Sequence, residues 1–198
     1  MPPRELIDAI DAAIQGGVNM VQLRDRATTG RARTDLAKAV REVTRDRAVF
    51  VVNGDPELTA QTGADGVHLP ESAMPVSTAR QIAGPGALVG RSVHSRAAAA
   101  SAAGQGADYL IAGTVYPSPS HPGGTASGTA IIRSIVGMVD LPVIGIGGID
   151  ASNAARVMGA GARGVACISA ILAAKDPRLA AAAIAKHIDQ RGSNDDTQ

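Results

Sequence analysis

The sequence predicts an α/β chain folded as a TIM (β/α)8 barrel, and three observations carry that reading. Apolar spacing switches between helical and strand period from end to end, and the strand-like runs end in small residues. The run Pro142-Val-Ile-Gly-Ile-Gly-Gly-Ile149 is followed by a second such strand end, Gly164-Val-Ala-Cys-Ile-Ser-Ala170. Strict alternation of strand and helix implies parallel strands joined by right-handed crossovers.

Taken in order, Leu6, Ile7, Ile10 and Ile14 share one helical face, and Gly16-Gly17 closes that helix. Asn19 to Leu23 reads as a strand, Arg31 to Asp46 as a helix and Ala48 to Asn53 as a strand. A short helix starts near Pro56, since proline suits the first helical position. Gly66 to Leu69 is a brief strand, Pro75 to Ala83 a helix, Ala87 to Ser92 a strand and Ser95 to Gln105 a helix. Tyr109 to Gly113 is extended and opens into a Pro/Ser/Gly-rich loop over 117–128. A helix to about Met138, the strand Val143 to Ile146, the helix Ala151 to Gly159, the strand Gly164 to Ile168 and a helix over Pro177 to Asp189 follow.

This gives seven strands where a closed barrel has eight, because the sequence opens on a helix after Met1-Pro2-Pro3. The first strand is missing from the sequence as it opens, which would leave two unpaired edges unless that strand lies upstream or another segment fills the gap. A doubly wound open sheet is the structural alternative, and the adjacent glycine-ended strands favour the barrel. One domain is expected over 1–191, with 192–198 a disordered polar tail.

With 198 residues and 45% hydrophobic content, the chain suffices for one buried core. Aromatic residues are 2%, with no Trp and one Phe, so Ala, Val, Ile and Leu must fill it. Net charge is +1, from 19 basic and 18 acidic residues without a long block, which argues against a nucleic-acid partner. The lone Cys167 sits in an apolar strand and reads as packing, not as a nucleophile. No apolar run reaches membrane-span length and the start lacks a signal-peptide pattern, so a cytoplasmic protein without membrane contact is expected.

The two late strand ends point to a phosphate. Loops after the last two strands of such a barrel, with a short helix N-terminus, can surround a dianion with backbone N–H groups. Gly147, Gly148, Ile168 and Ser169 are the expected contributors, with the Ser169 hydroxyl as an extra donor. The alternative is that the glycines serve only a tight turn and close packing. Gln22 and Arg24 alternate along their strand and face one side, expected to be the barrel interior, where Arg24 would pair with an anionic substrate group or with neighbouring acids. Asn53, Ser92, Thr114, Ser118 and Ser120 are plausible polar lining.

Val21-Gln-Leu-Arg-Asp-Arg26, Gly63-Ala-Asp-Gly-Val-His-Leu69, Gly90-Arg-Ser-Val-His-Ser95 and Gly106-Ala-Asp-Tyr-Leu-Ile-Ala-Gly113, with the two phosphate loops, resemble the thiamine phosphate synthase and TenI superfamily. The synthases carry an Asn-Asp pair and, after the His-Leu strand, a further acid, which together bind magnesium; the matching positions here are Gly54 and Ala73. Asp55 and Glu71 are adjacent to those positions, but neighbours at a strand end point elsewhere. The synthase's lysines become Arg26, which can still hold a phosphate, and His121 in Ser118-Pro-Ser-His121. Asn53-Gly54, Leu69-Pro70 and Gly90-Arg-Ser-Val-His-Ser95 look like the TenI-type thiazole tautomerases.

That branch implies a metal-free, cofactor-free proton transfer that converts an alkylidene tautomer of carboxythiazole phosphate into the aromatic thiazole. His121 is the candidate acid/base group, between Pro119 and Pro122; the tautomerases' own histidine position is Thr114 here. The other reading of His121 is a surface loop histidine. His94 is expected either to orient the substrate carboxylate or to bond at the barrel rim, His68 to be structural, and His187 to have no catalytic role. The alternatives are a thiamine phosphate synthase using Mg2+, and a non-catalytic phosphate-ligand-binding or regulatory protein. The resemblance also implies a homodimer.

Overall fold

The computed structural model describes residues 2–25, 27–118 and 126–189. Its strands are β1 (Met20–Leu23), β2 (Val49–Asn53), β3 (Gly66–Leu69), β4 (Leu88–Val93), β5 (Tyr109–Ala112), β6 (Val143–Ile146) and β7 (Gly164–Ala166). They form one parallel sheet in sequence order. That order has no switch point, which rules out the doubly wound alternative. The helices are α1 (Pro3–Gln15), α2 (Gly30–Thr44), α3 (Pro56–Thr62), α4 (Val76–Ala83), α5 (Arg96–Gly104), α6 (Ala130–Val136), α7 (Ala154–Gly159), α8 (Ser169–Leu172) and α9 (Pro177–Asp189).

Among the described residues β1 pairs only with β2 and β7 only with β6, so the strand ring is open between β1 and β7. The helix layer closes across that opening. α1 packs on α9, and Gly16 is the point of contact: a Cβ there would lie 2.3 Å from the Arg178 carbonyl oxygen and 2.8 Å from Ala181 Cβ. The sheet is therefore curled, with its first and last helices in contact.

Strand register sorts the side chains into two sets. Leu23, Phe50, Val52, Val67, Leu69, Val89, Val93, Leu110, Ala112 and Val143 face the helices and belong to the two apolar clusters of the core. The alternate residues, Gln22, Val51, Asn53, His68, Gly90, Ser92, Tyr109, Ile111, Ile144 and Ile146, share the opposite, inner side. Aliphatics fill the core as the composition requires.

A repeated Gly-Ala-Asp device ties the strand starts to the helix layer. Asp65 Oδ2 accepts from the Phe50 N–H at 2.7 Å and from Arg41 at 2.9 Å. Asp108 Oδ2 does the same one repeat later, accepting from the Val89 N–H at 2.6 Å and Arg80 at 2.9 Å. Both sit at the end of the sheet opposite the glycine-rich loops.

Several boundaries differ from the sequence expectation. The helix expected to Asp46 ends at Thr44, and Asp46 takes φ 57°. The helix expected from Ala151 starts at Ala154, because Asp150 and Asn153 first build a turn: the Asp150 N–H donates to Asn153 Oδ1 and both the Ser152 N–H and hydroxyl donate to Asp150 Oδ1. The strand expected to Ile168 ends at Ala166, and Ser169–Leu172 adds a helical turn too short to leave a periodic pattern. The expected tail, 192–198, lies outside the described residues.

Candidate active site

The C-terminal ends of the strands gather the polar inner residues. Gln22 on β1 donates through Nε2 to Asn53 Oδ1 on β2 at 2.9 Å, which places Gln22 inside as its alternation predicted. The Gly54 N–H donates to the His68 carbonyl at 2.8 Å, fixing the turn after β2. His68 on β3 is buried and bonded on both ring nitrogens, Nε2 to Ser92 Oγ at 2.8 Å and Nδ1 to the Tyr109 hydroxyl at 3.3 Å. Burial holds the His68 imidazole down at about 4, with the Arg91 charge adding to the effect, so the ring is neutral at pH 7. Both ring nitrogens are thus satisfied inside the protein, and the partner Tyr109 carries no motif that singles it out. One signal exists in Gly90: a Cβ there would lie 2.1 Å from Tyr109 Cζ, so the glycine makes room for the ring crossing β4 toward β3.

Arg24 departs from expectation. It is solvent-exposed beyond the end of β1 and pairs with no acid among the described residues, so no burial cost demands a partner for it. His94 is also exposed and serves the rim: its Nδ1 lies 2.6 Å from Glu71 Oε2, and its N–H donates to the same oxygen at 2.8 Å. Its contact in the structure is thus with Glu71 at the barrel rim. Arg26, Ser120 and His121 lie outside the described residues. His187 sits on α9, away from the strand ends.

Sequence reasoning passed over Arg91. It lies between Val89 and Val93 on the helix-facing side of β4 and is buried. Its guanidinium donates to the carbonyls of Pro70, Glu71 and Ala73 at 3.0, 3.3 and 3.3 Å, and to that of Met74 at 2.7 Å. Desolvation lowers its pKa while the Glu71 charge opposes the fall. The signal was a single charge at an apolar-parity position.

The late strand ends form the second half of the site. Gly147 and Gly148 take φ +107° and +58°. A Cβ at 147 would lie 2.5 Å from Thr114 Cγ2, and one at 148 would lie 2.4 Å from the Pro117 carbonyl oxygen. Glycine is thus required by the chain folding back over the turn, a cause present without any anion. The Tyr116 N–H donates to the Gly147 carbonyl at 3.0 Å, and Asn153 Nδ2 donates to that of Gly148 at 2.9 Å. Ile168 and Ser169 are exposed where α8 begins, beside this turn in the sheet order. Thr114 and Ser118 are half-buried on the segment that covers Gly147 and Gly148. The Ser127 and Gly128 N–H groups donate to the Thr114 and Val115 carbonyls, both at 2.9 Å, so the chain at 127–128 lies against the end of β5. Cys167 is half-buried and its thiol is pushed up to about 11 by burial and the Asp150 charge, which keeps it protonated at neutral pH.

A divalent ion finds no ready donor set. Among the described residues no three His, Cys, Asp or Glu are grouped to hold one. Asp55 caps α3 by accepting from the Leu58 N–H at 2.8 Å and pairs with Arg33 at 3.0 Å, while Glu71 is engaged with His94. The described residues at these positions therefore do not fit magnesium, whose preferred ligands are free carboxylate oxygens.

A family described as thiamine monophosphate synthase matches residues 1–171. The chain belongs to the thiamine monophosphate synthase family. Within it, the chain is 43% identical over 190 residues to the thiamine-phosphate synthase of Haloquadratum walsbyi, covering 94% of this chain and 85% of the relative. It is 43% identical over 190 residues to the thiamine-phosphate synthase of Natronomonas pharaonis, covering 94% and 89%. The thiamine phosphate pyrophosphorylase of Pyrococcus furiosus superposes with a TM-score of 0.86 at 34% identity, over 93% of this chain and 89% of that one. A 3-hexulose-6-phosphate synthase, at 18% identity and TM-score 0.74 over 94% of each chain, shares the fold. Membership of the thiamine monophosphate synthase family places this chain among the enzymes of thiamine biosynthesis. No described helix is long and apolar enough to cross a membrane.

Proposed function

We propose that the protein binds a thiazole phosphate and acts on it as a metal-free thiazole tautomerase. One observation carries the choice: the strand-end positions where the synthase resemblance calls for magnesium-binding acids hold Gly54 and Ala73, and the neighbouring Asp55 and Glu71 are committed to Arg33 and His94. Loss of pyrophosphate needs the leaving anion neutralised, whereas tautomerisation needs only orientation and one proton-transfer group near pH 7. In this reading the turn at Gly147 and Gly148 and the start of α8 at Ile168 and Ser169 hold the phosphate. Gln22, Asn53 and Ser92 line the opposite wall. Arg24 stands at the rim just after β1, and Arg26, which lies outside the described residues, is a further candidate for the phosphate. His121 moves the proton, carried by a loop whose two ends are held at the strand end beside Thr114.

The second reading is thiamine-phosphate synthesis with an altered charge arrangement, and the names of relatives at 41% to 44% identity favour it. One pair of assays separates them. The freshly formed thiazole tautomer is followed by ultraviolet absorbance with and without protein. In parallel, aminopyrimidine pyrophosphate, thiazole phosphate and Mg2+ are supplied and thiamine phosphate is measured. Accelerated aromatisation with no thiamine phosphate supports the tautomerase, and thiamine phosphate at enzymatic rate overturns it. Tight binding without either turnover identifies a phosphate-ligand-binding protein. Within the tautomerase outcome, an undiminished rate in His121→Ala removes His121 from its role.

A further inference from the structure

Three strands place Tyr109, His68 and Ser92 in one hydrogen-bonded chain that runs from the buried interior to the mouth. Its direction follows from counting hydrogens. Tyr109 is buried, and burial with the nearby Asp108 charge raises its pKa, so the phenol keeps its proton. The only acceptor given to that hydroxyl among the described residues is His68 Nδ1. Were Nδ1 protonated and donating, the phenolic hydrogen would be buried with no acceptor. Tyr109 therefore donates to Nδ1, the neutral ring carries its hydrogen on Nε2, and Nε2–H donates to Ser92 Oγ. Ser92 is half-buried, so it alone in the chain can turn its hydrogen outward.

We infer that Tyr109 acts through His68 to hold the Ser92 hydroxyl as a hydrogen-bond donor into the barrel mouth, and that its acceptor is the ring carboxylate of carboxythiazole phosphate. The inference deepens the tautomerase reading and rests on it for the identity of the acceptor. Asn53 supports an anionic acceptor at this wall. Its Oδ1 is occupied by Gln22, which leaves its amide hydrogens as donors one strand away, at the register of His68. The phosphate turn lies across the sheet on β6 and β7, so a ligand anchored there by phosphate presents its other acidic group toward β2–β4. Ser92 is then a binding residue, and His68 and Tyr109 are positioning residues.

Two measurements test this on the whole chain. Long-range nitrogen–proton correlation spectra should show neutral His68 protonated on Nε2. Calorimetric Kd values for the aromatic carboxythiazole phosphate and for the same thiazole phosphate lacking the carboxylate should differ by about tenfold in favour of the former, the worth of one charge-assisted hydrogen bond. Ser92→Ala should collapse that ratio to about twofold or less, and Ser92→Thr, which keeps the hydroxyl, should restore it. Tyr109→Phe should lower the ratio while phosphate-dependent affinity is retained. A His68 proton on Nδ1, or a ratio unchanged by Ser92→Ala, overturns the inference alone. Failure of the wild-type protein to bind either ligand overturns the tautomerase reading with it, while the spectra still report on the chain.

Discussion

Gly90→Ala should be among the most damaging single-methyl additions in this protein. The backbone there is ordinary, so the effect is steric. The new Cβ would sit 2.1 Å from Tyr109 Cζ and 2.5 Å from both Cε2 and Oη, against an ordinary contact distance of 3.4 Å or more. The ring must move by about 1.3 Å, the difference between 3.4 and 2.1 Å, and Tyr109 is buried on a central strand. Such a shift breaks the 3.3 Å bond to His68 Nδ1. Overpacking costs ~1–3 kcal/mol, and a buried polar group left without a partner costs ~1–3 kcal/mol more. A total near 3 kcal/mol lowers Tm by roughly 6–12 °C in a chain of this size. Thermal unfolding by circular dichroism, with urea midpoints as a second measure, reads this directly. Gly90→Ala combined with Tyr109→Leu removes the ring that the methyl strikes, so the pair should be strongly non-additive. A Tm within about 2 °C of wild type, or simple additivity in the double variant, would refute the assignment of Gly90 as the ring's clearance.

Other outcomes follow from the same geometry. His68 is held at about 4 in the folded chain against 6.5 when free, so between those values the unfolded state binds more protons. Stability should therefore fall as pH drops from about 6.5 to about 4, by up to ~3 kcal/mol, and His68→Gln should flatten that slope in pH-dependent urea unfolding. Arg91→Ala strips the donor from four loop carbonyls, and limited proteolysis should cut the Pro70–Pro75 segment faster. Lysine should rescue Arg91 poorly, because an ammonium lacks the planar fork that spans those acceptors. Melting temperature should be the same in Mg2+ and in chelator for the wild-type protein, whereas Gly54→Asp with Ala73→Asp should acquire a Mg2+-dependent rise in Tm. A Mg2+ effect of equal size in the wild type would contradict the donor-set argument.

The strand and helix order was legible because each strand is a short apolar run closed by small residues, and each crossover shows helical spacing. Gly66–Leu69 and Val143–Ile146 match their expected limits for that reason. What was missed is set by contacts that no local pattern encodes. α8 is a single turn, shorter than a helical period can register. Period-2 alternation placed Gln22 inside, yet it overestimated the burial of Arg24, because a residue beyond the last ladder pair is governed by the rim and not by the sheet. Gly147 and Gly148 were singled out for an expected anion site, while the packing that requires glycine there comes from Thr114 and Pro117, some thirty residues away. Tyr109 and His68 are 41 residues apart, and only the shared register of β3, β4 and β5 brings them together.

The segment Gly90-Arg-Ser-Val-His94 ties together three neighbouring parts of the strand ends. Its inward residues admit the Tyr109 ring at Gly90 and present a hydroxyl at Ser92. Its outward Arg91 gathers four carbonyls of the loop after β3, the loop that carries Ala73 where the synthase resemblance places an acid. His94 then fastens Glu71, the remaining carboxylate of that loop, through both its ring and its backbone N–H. A guanidinium and an imidazole thus hold this loop. A buried cation already satisfied by backbone oxygens disfavours a divalent ion close by, since like charges repel strongly where water is scarce. Restoring the two acids without changing Arg91 should therefore give weaker Mg2+ binding than restoring them together with Arg91→Leu, provided the triple variant still folds with a cooperative melt. Equal Mg2+ affinities in the two variants would show that Arg91 orders the loop without setting its charge preference.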